Sequence, residues 1–345
     1  MTLRTPLCDL FGIEVPILNV GFGQSATPEL AAAVSNAGGL GVLGFTGGGM
    51  PPEEIRRRIE RTRARTSRPF GGNIIISDLE GNDQAERAAT REKIAAALDA
   101  HIPVLVLFWG DPAPFVDAAH AAGTKLVVQV GSAEEAGAAA RAGVDAIIAQ
   151  GVEAGGHVRA VDSIWDVLPR AVEAARGVPV LAAGGLTDGT SIARALRMGA
   201  QGVSLGTRFA ASTEAWVHER HKEKLVEATA SDTVFGLIFT VGWPDAPHRA
   251  LRNRTVREWE VAGSPPEGSR PGEGEIIGTR HESWGDFPMR RYQVGMVTPT
   301  FEGDVELAVL WAGQSVDAVR SVRPAAEIVA SLVADTERAL AGKRP

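Results

Sequence analysis

Eight short apolar segments alternate with alanine-rich helical segments up to about residue 230, and this alternation constrains the fold more than any other feature of the chain. Some short segments, such as 104–108, are apolar at every position, which is typical of parallel strands covered on both faces. Eight strand–helix units in about 230 residues match a (β/α)8 TIM barrel. An open doubly wound α/β sheet is the alternative, because a strand count does not prove closure. The predicted strands are 15–20, 41–44, 71–76, 104–108, 125–130, 145–149, 178–182 and 202–205.

The helices are predicted from the same pattern and from their ends. Thr27 and Ser132 are predicted N-caps, because their side-chain oxygens can accept from free backbone N–H groups. Gly123 and Gly143 are suited to ending helices, since glycine readily adopts the left-handed conformation. The predicted helices are 27–37, 52–65, 83–100, 112–122, 133–142, 163–175, 188–198 and about 214–228.

The regular pattern stops after residue 230. The segment 236–303 is rich in Pro, Gly, Arg and Trp and has no sustained period, and its length exceeds that of an ordinary connection. The tryptophans in this segment either cover a binding site or form a small core; they are Trp243, Trp259 and Trp284. The predicted organisation is a barrel over 1–235, a lid-like, substrate-covering insertion over 236–308, and a C-terminal segment over 309–345 that packs back on the barrel with a helix near 325–341.

Composition limits the classes of partner. The net charge is −7, so no general attraction to nucleic acid or to anionic membranes is expected. Cys8 is the single cysteine, which excludes an internal disulfide and a cluster of thiolate metal ligands, and no metal is predicted. The start of the sequence lacks the apolar core of a signal peptide. We expect a cytoplasmic protein with a small-molecule ligand, and a homodimer is one assembly that the sequence leaves open.

Glycine-rich loops follow the last two predicted barrel strands. In TIM barrels the loops after strands seven and eight often bind phosphate. Glycine lets the backbone approach a ligand closely, and amides at a helix start favour an anion. The two loops together therefore predict a phosphate site. The residues concerned are Gly184 and Gly185 after the seventh strand, and Ser204, Leu205, Gly206 and Thr207 after the eighth.

Amide side chains recur at the ends of other predicted strands. An Asn or Gln side chain can donate to ring carbonyls and accept from ring N–H groups. Several of them at one end of a barrel indicate a polar, planar ligand, although any single one could instead tie down a loop. These residues are Asn19, Asn73, Gln129 and Gln150.

His157 is the candidate catalytic residue. It follows the sixth strand in a loop where Gly155 and Gly156 allow the backbone to pass close to a ligand. A neutral imidazole can take a proton from a carbon acid near pH 7. The other histidines are expected in helices or on their ends, except for His248 and His281, which lie in the irregular segment and could contact a substrate.

Several segments, in order, resemble the nitronate monooxygenases (2-nitropropane dioxygenases) and their relatives, the FMN-dependent enoyl-acyl-carrier-protein reductases. The likeness covers roughly residues 13–345. The matching segments are 27–41, 70–73, 150–157, 182–189, 205–209 and 312–314.

The resemblance implies a flavoprotein in which the barrel holds FMN and His157 removes a proton from a nitroalkane. Oxidation by dioxygen would then yield a carbonyl compound and nitrite. Asn73, Gln150 and Gly155 would contact the flavin, and Gly185 with the 204–207 turn would hold its phosphate.

Two positions depart from the family pattern. After the first strand the family usually has a Pro-Met-Ala-Gly-like turn, whereas this chain reads Asn-Val-Gly-Phe-Gly over residues 19–23. Gly21 in this turn is still expected to line the cofactor site. Arg159 stands two residues after the histidine, where glycine is common. We expect Arg159 either to face the mouth and favour an anionic substrate or to be a solvated surface residue.

Other reactions remain open at this stage. The first alternative is an NAD(P)H-dependent FMN enoyl-thioester or quinone reductase, for which seven arginines over 56–68 could form a carrier-protein docking patch. The presence of Gln150 rather than Glu favours the monooxygenase branch. A flavin-free sugar-phosphate isomerase would use Glu153 as its base, and an inosine-monophosphate-type dehydrogenase would need a mid-barrel cysteine that this chain lacks.

Overall fold

The computed structural model describes residues 3–46, 49–77 and 83–342. Strands and helices alternate through most of this chain. Its strands are β1 (Ile17–Asn19), β2 (Gly41–Gly44), β3 (Phe70–Ile75), β4 (Val104–Phe108), β5 (Lys125–Val130), β6 (Ala146–Gln150), β7 (Gly156–His157), β8 (Val180–Ala183), β9 (Gly202–Leu205), β10 (Thr233–Gly236), β11 (His248–Leu251), β12 (Ile276–Glu282), β13 (Gly285–Arg290) and β14 (Phe301–Gly303).

Eight of these strands form one parallel sheet. Their order is β1-β9-β8-β6-β5-β4-β3-β2, and a parallel bridge between Leu18 and Leu40 brings the two ends of the sheet together. The sheet is therefore a nearly closed barrel surrounded by helices. This confirms the predicted TIM barrel and excludes the doubly wound alternative.

The helices lie close to their predicted positions where a cap marks their ends. Thr27 accepts from the Leu30 N–H and Ser132 from the Glu135 N–H, and Gly143 ends its helix with a φ of 93°. The helices are α1 (Pro6–Phe11), α2 (Pro28–Asn36), α3 (Pro52–Arg63), α4 (Gln84–Asp99), α5 (Val116–Ala121), α6 (Ala133–Ala142), α7 (Ile164–Ala174), α8 (Gly189–Arg197), α9 (Thr207–Ala210), α10 (Glu219–Glu227), α11 (Arg254–Val261) and α12 (Ala325–Leu340).

The fully apolar strands serve two cores. Alternate residues such as Val104 and Val106 point into the barrel, where Leu7 and Phe11 of α1 pack with them and fill one end. The residues between them, such as Leu105, face the surrounding helices. Because side chains alternate across a strand, continuous hydrophobicity is required to fill both cores. The helix α1 was not predicted, since its six residues are too few to show a periodic pattern.

The region after residue 230 is more regular than its sequence predicts. It contains the antiparallel group β10-β11-β7 and the antiparallel group β13-β12-β14. A small core of its own holds Phe239, Val256 and Tyr292. The prediction of one helix over about 214–228 was also inaccurate, because α9 forms directly after β9 and α10 begins only at Glu219, with His218 as its N-cap.

Candidate active site

His157 lies on β7, a two-residue strand between the barrel and the region after residue 230. Gln150, at the end of β6, donates from its amide to the His157 carbonyl at 3.0 Å and accepts from the Arg159 N–H at 2.9 Å. On the other side β7 pairs with β11, and His157 is in register with His248. The loop that carries His157 is thus held by barrel and insertion together.

Three indole rings surround the His157 imidazole. Trp243 lies nearest, with 4.2 Å between ring centroids, and Trp311 follows at 5.1 Å. Trp109, directly after β4, lies at 6.5 Å and packs edge-on against Trp243 at 4.9 Å. Each of the three tryptophans is half-buried rather than fully enclosed.

The imidazole of His157 is neutral and has an unused nitrogen. Its Nε2 atom is buried and makes no hydrogen bond. Burial, with a smaller contribution from the nearby His248, lowers the pKa of His157 to about 3. A buried polar atom without a partner is uncommon in folded proteins and points to a strained or catalytic role. In the tautomer that has its hydrogen on Nδ1, the Nε2 atom is a proton acceptor on a ring that remains uncharged near pH 7.

His248 is also neutral, but its hydrogen bonds are complete. Its Nε2 accepts from the backbone N–H groups of Ile238 and Phe239 at 3.3 and 3.0 Å. A carbonyl oxygen cannot donate, so the hydrogen lies on Nδ1 and points to the Ala246 carbonyl at 3.0 Å. Burial lowers the pKa of His248. His248 therefore holds the strand beside His157 and has no free nitrogen for proton transfer.

Arg159 and Arg249 lie beside the site with their charges already engaged. The Nε of Arg159 is 2.5 Å from a Glu135 carboxylate oxygen, and the guanidinium lies over the Trp109 ring at 5.4 Å. Arg249 donates to the Val152 carbonyl and to Thr233 Oγ1. An anionic substrate at Arg159 would have to compete with Glu135, and binding by Arg159 stays a prediction.

The amide side chains predicted at the strand ends differ in how far they are already bonded. Asn19 is fully buried; it donates to the carbonyls of Val20 and Val42 and accepts from the Val42 N–H. Asn73 donates to the Val106 carbonyl at 3.2 Å. Gln129 is half-buried and makes no side-chain hydrogen bond within the described ranges. Gln129 therefore has the greatest unused bonding capacity.

The predicted glycines bring the loops at this end of the barrel into close contact. A methyl group on Gly155 would lie 2.3 Å from the Gly313 nitrogen, and one on Gly21 would lie 2.5 Å from the Asn73 Cβ. Gly184 and Gly185 have φ angles of 93° and 68° and pack against the loop after β6.

The turn after β9 contains a more open glycine. A methyl group on Gly206 would meet only Val20, at 3.8 Å. Next to it, Thr207 Oγ1 accepts from the Gly313 N–H at 2.9 Å. Ser204 and Leu205 are buried at the end of β9.

Two alternatives lose support from the contacts. Glu153, the base that a sugar-phosphate isomerase would need, accepts from Ser163 Oγ and from the Ile164 N–H at the start of α7. The arginines near α3 are largely paired with the chain itself: Arg61 and Arg65 both contact Glu29. Arg61 and Arg65 therefore do not form an unpaired basic patch on which an acyl carrier protein could dock.

Some site residues could not be found from the sequence. Trp109 and Trp311 lie on separate loops, and nothing in their local sequence places them near His157. Trp109 has a φ of 65°, which is rare for a bulky residue and is often associated with function. His281, the other histidine considered, is exposed and paired with Asp286. Trp259 packs in the insertion's core and Trp284 against the barrel's outer core.

The structure supports neither a metal centre nor a membrane span in the part that it describes. No group of three or more His, Cys, Asp or Glu side chains within residues 3–46, 49–77 and 83–342 could hold a metal ion. Among the same residues no helix is long and apolar enough to cross a membrane.

Comparison with known proteins identifies the family. The model of the family described as nitronate monooxygenase matches residues 4–335. The chain belongs to the nitronate monooxygenase family. It is 32% identical to a nitronate monooxygenase of Paraburkholderia phytofirmans, with 98% of this chain and 97% of that protein covered. This is a family of flavin-dependent oxidoreductases, so the chain is an oxidoreductase of this type.

Two further relatives widen the range of related activities. The chain is 36% identical over 75% of its length to a (3aS,4S,5R,7aS)-5-hydroxy-7a-methyl-1-oxo-octahydro-1H-indene-4-carboxyl-CoA dehydrogenase of Mycobacterium tuberculosis, of which 69% is covered. The solved structure of FabK from Thermotoga maritima superposes with a TM-score of 0.79 at 31% identity, covering 99% of this chain and 98% of that one.

Proposed function

We propose that this family member oxidises nitronates and nitroalkanes with dioxygen to a carbonyl compound and nitrite, with FMN as its cofactor and His157 as the base. The observation that carries the proposal is the unpartnered Nε2 of a neutral His157 at the barrel mouth. A nitroalkane must lose a carbon-bound proton before it is oxidised as its nitronate, and this atom is suited to accept that proton.

The residues at the barrel mouth fit FMN in their chemistry. The unused amide of Gln129 and the amides of Asn73 and Gln150 suit ring carbonyls and N–H groups. Asn19 is fully bonded to backbone and would shape the rim together with Gly21. Bound FMN would supply the electron acceptor for the reaction. The phosphate would be held by Gly184, Gly185, Ser204, Leu205, Gly206 and Thr207, with Gly155 and Gly156 allowing close approach of the 151–157 loop.

The imidazole of His157 would become charged only while it holds the proton taken from the substrate. With a pKa near 3 the imidazole is a weak base in isolation. Proton removal from carbon leaves a negative nitro group next to the new imidazolium, and this opposite charge raises the histidine pKa as the transfer proceeds. General-base catalysis of this kind typically contributes about 10²–10⁴-fold.

The test is the variant His157→Asn assayed on two forms of one substrate. Nitrite release and oxygen uptake from neutral nitroethane should fall by about 10²-fold or more. Preformed ethylnitronate should lose far less, because its carbon has already lost the proton. Retention of the bound-flavin absorbance in the variant controls for cofactor loss. An unchanged nitroethane rate would remove His157 from the mechanism.

A reductase is the second candidate, because a relative at 36% identity is named as a CoA-thioester dehydrogenase. An NAD(P)H-dependent enzyme acting on enoyl thioesters or quinones would show loss of flavin absorbance when mixed anaerobically with NADH or NADPH alone. A monooxygenase would show no such loss and would release nitrite without a nicotinamide cofactor.

A further inference from the structure

Three tryptophans contact the His157 ring and form an aromatic cluster together with it. We call Trp109, Trp243 and Trp311 the tryptophan cage. Trp243 contacts both His157 and Trp109, with its ring centroid 4.2 Å from that of His157 and 4.9 Å from that of Trp109. The planes of Trp243 and Trp311 are tilted by 40° and 51° to the imidazole. Edge-to-face and tilted contacts of this kind are those that a further flat ring can extend.

The cage is lined by neutral groups. His157 and His248 are both uncharged near pH 7, because burial lowers their pKa values. Arg159 is paired with Glu135 at 2.5 Å, and Arg249 donates to Val152 and Thr233. Among the described residues, the cation that lies over a ring of the cage is Arg159, on Trp109, and its charge is already paired with Glu135. A charged ligand would lose its hydration here without gaining a counter-ion.

The backbone at Trp109 indicates that the cage is maintained at a cost. The left-handed conformation of Trp109, with φ of 65°, is unfavourable for a residue with a bulky side chain. Such strain persists only where the surrounding structure enforces it, and it is concentrated at functional sites. A glycine would adopt this conformation without strain. Gly110 follows directly in the sequence, but the residue in the left-handed conformation is Trp109. This backbone conformation directs the indole toward Trp243.

We propose that the tryptophan cage selects uncharged nitro compounds that have an aromatic ring, such as (2-nitroethyl)benzene, over carboxylated and small aliphatic ones. The substrate's ring would pack against Trp243 and Trp311, with its nitro-bearing carbon next to His157 Nε2. This inference rests on the proposed function for the reaction step, but the selectivity of the cage is a binding property and can be measured without turnover.

Binding is tested by calorimetry on the purified flavin-containing protein with probes that have no hydrogen on the nitro-bearing carbon. Nitrobenzene is neutral and aromatic, 4-nitrobenzoate is its anionic counterpart, and 2-methyl-2-nitropropane is neutral and aliphatic. We expect nitrobenzene to bind at least about tenfold more tightly than either of the others, which corresponds to about 1.4 kcal/mol. Equal or tighter binding of 4-nitrobenzoate or of 2-methyl-2-nitropropane would overturn the proposal, as would tighter binding of the cation (4-nitrophenyl)trimethylammonium.

Variants connect the preference to the cage. Trp243→Ala should reduce the nitrobenzene preference over 2-methyl-2-nitropropane to below about threefold, whereas Trp243→Phe should keep most of it because an aromatic ring remains. Trp165→Ala is the matched control. Trp165 lies on α7, away from the cage, and the Cζ atom of Arg194 lies 3.8 Å from the centroid of its ring. An unchanged preference in Trp243→Ala would refute the assignment, and circular dichroism of each variant separates misfolding from loss of binding.

Turnover distinguishes this proposal from the proposed function. (2-Nitroethyl)benzene and 3-nitropropionate both have a nitro group on an unconjugated carbon, so they are compared in turnover. (2-Nitroethyl)benzene should show a kcat/KM at least about tenfold above that of 3-nitropropionate, with the difference mainly in KM if the cage acts on binding. If nitrobenzene binds tightly but no nitro compound releases nitrite, the proposed selectivity of the cage is supported and the proposed monooxygenase function is refuted. Nitrite release with higher kcat/KM for 3-nitropropionate would support the monooxygenase and refute the cage.

Discussion

The low pKa of His157 predicts an unusual pH dependence of catalysis. If His157 is the base, only its neutral form is active. At about pH 5 a histidine with an ordinary pKa of about 6.5 would be about 3% neutral. His157, with a pKa of about 3, would remain about 99% neutral at the same pH. An ordinary histidine is about 76% neutral at pH 7, so lowering the pH from about 7 to 5 should reduce kcat/KM for nitroethane less than twofold, rather than about 25-fold.

The physical cause of the low pKa can be tested in the same assay. Burial is the main cause, and Trp243 is the indole nearest to the imidazole, so Trp243→Ala should admit water to the imidazole and raise its pKa toward 6.5. The ratio of kcat/KM at pH 5 to that at pH 7 should then fall below that of the parent. Because each variant is compared with itself at two pH values, a general change in substrate affinity cancels.

Initial rates of nitrite release over about pH 4.5 to 7.5 provide the measurement, with Trp165→Ala as the control whose ratio should match the parent. A parent profile that declines below an inflection near pH 6.5 would refute the reasoning, because it would show an ordinary, hydrated histidine. A flat profile in both the parent and Trp243→Ala would show that Trp243 does not set the pKa.

Three further predictions concern stability. His221 is fully buried, and burial lowers its pKa to about 4. As the pH falls below about 6.5, the unfolded chain takes up a proton at this histidine before the folded chain does, so the free energy of unfolding should fall by about 2 kcal/mol between pH 7 and 5. Urea unfolding measures this loss, and His221→Gln should lack it. Gly155→Ala places a methyl 2.3 Å from the Gly313 nitrogen and should cost about 1–3 kcal/mol. It should cost more than Gly236→Ala, whose methyl meets nothing within 4 Å and whose φ is not left-handed; equal thermal shifts would contradict this. Glu282 is the counter-ion of the buried Arg280, at 2.8 Å, but burial raises the pKa of Glu282, so loss of its charge is partly offset. Glu282→Gln should therefore cost about 1–3 kcal/mol, whereas the exposed Glu302→Gln should change stability little.

The barrel could be predicted from the sequence because its signals are local. A strand such as β4 has to fill the cores on both of its faces, and this requirement is visible as an uninterrupted apolar run. Thr27 and Ser132 mark helix starts through hydrogen bonds to the backbone N–H three residues later. Such signals do not depend on distant parts of the chain, and they were correct to within a few residues.

The site could be predicted only where it depends on position relative to a strand. His157 follows β6 and is at the expected end of the barrel. The rings around it come from loops up to 202 residues apart in the sequence, from Trp109 to Trp311, so no local pattern could place them. The antiparallel strands after residue 230 were missed for a related reason: β10 and β11 are short, and one of their partners is β7, which has two residues.

The pairing of β7 with β11 makes the position of the base depend on the insertion. The Val158 N–H donates to the Pro247 carbonyl at 2.8 Å, and His248 fixes that strand through three hydrogen bonds of its own. Any movement that opens the insertion at β11 would break the contact next to His157 and expose the imidazole to water. Exposure would raise the histidine pKa toward its ordinary value. Under the proposed function, His157 would therefore keep its low pKa, and remain neutral near pH 5, only while β7 stays paired with β11.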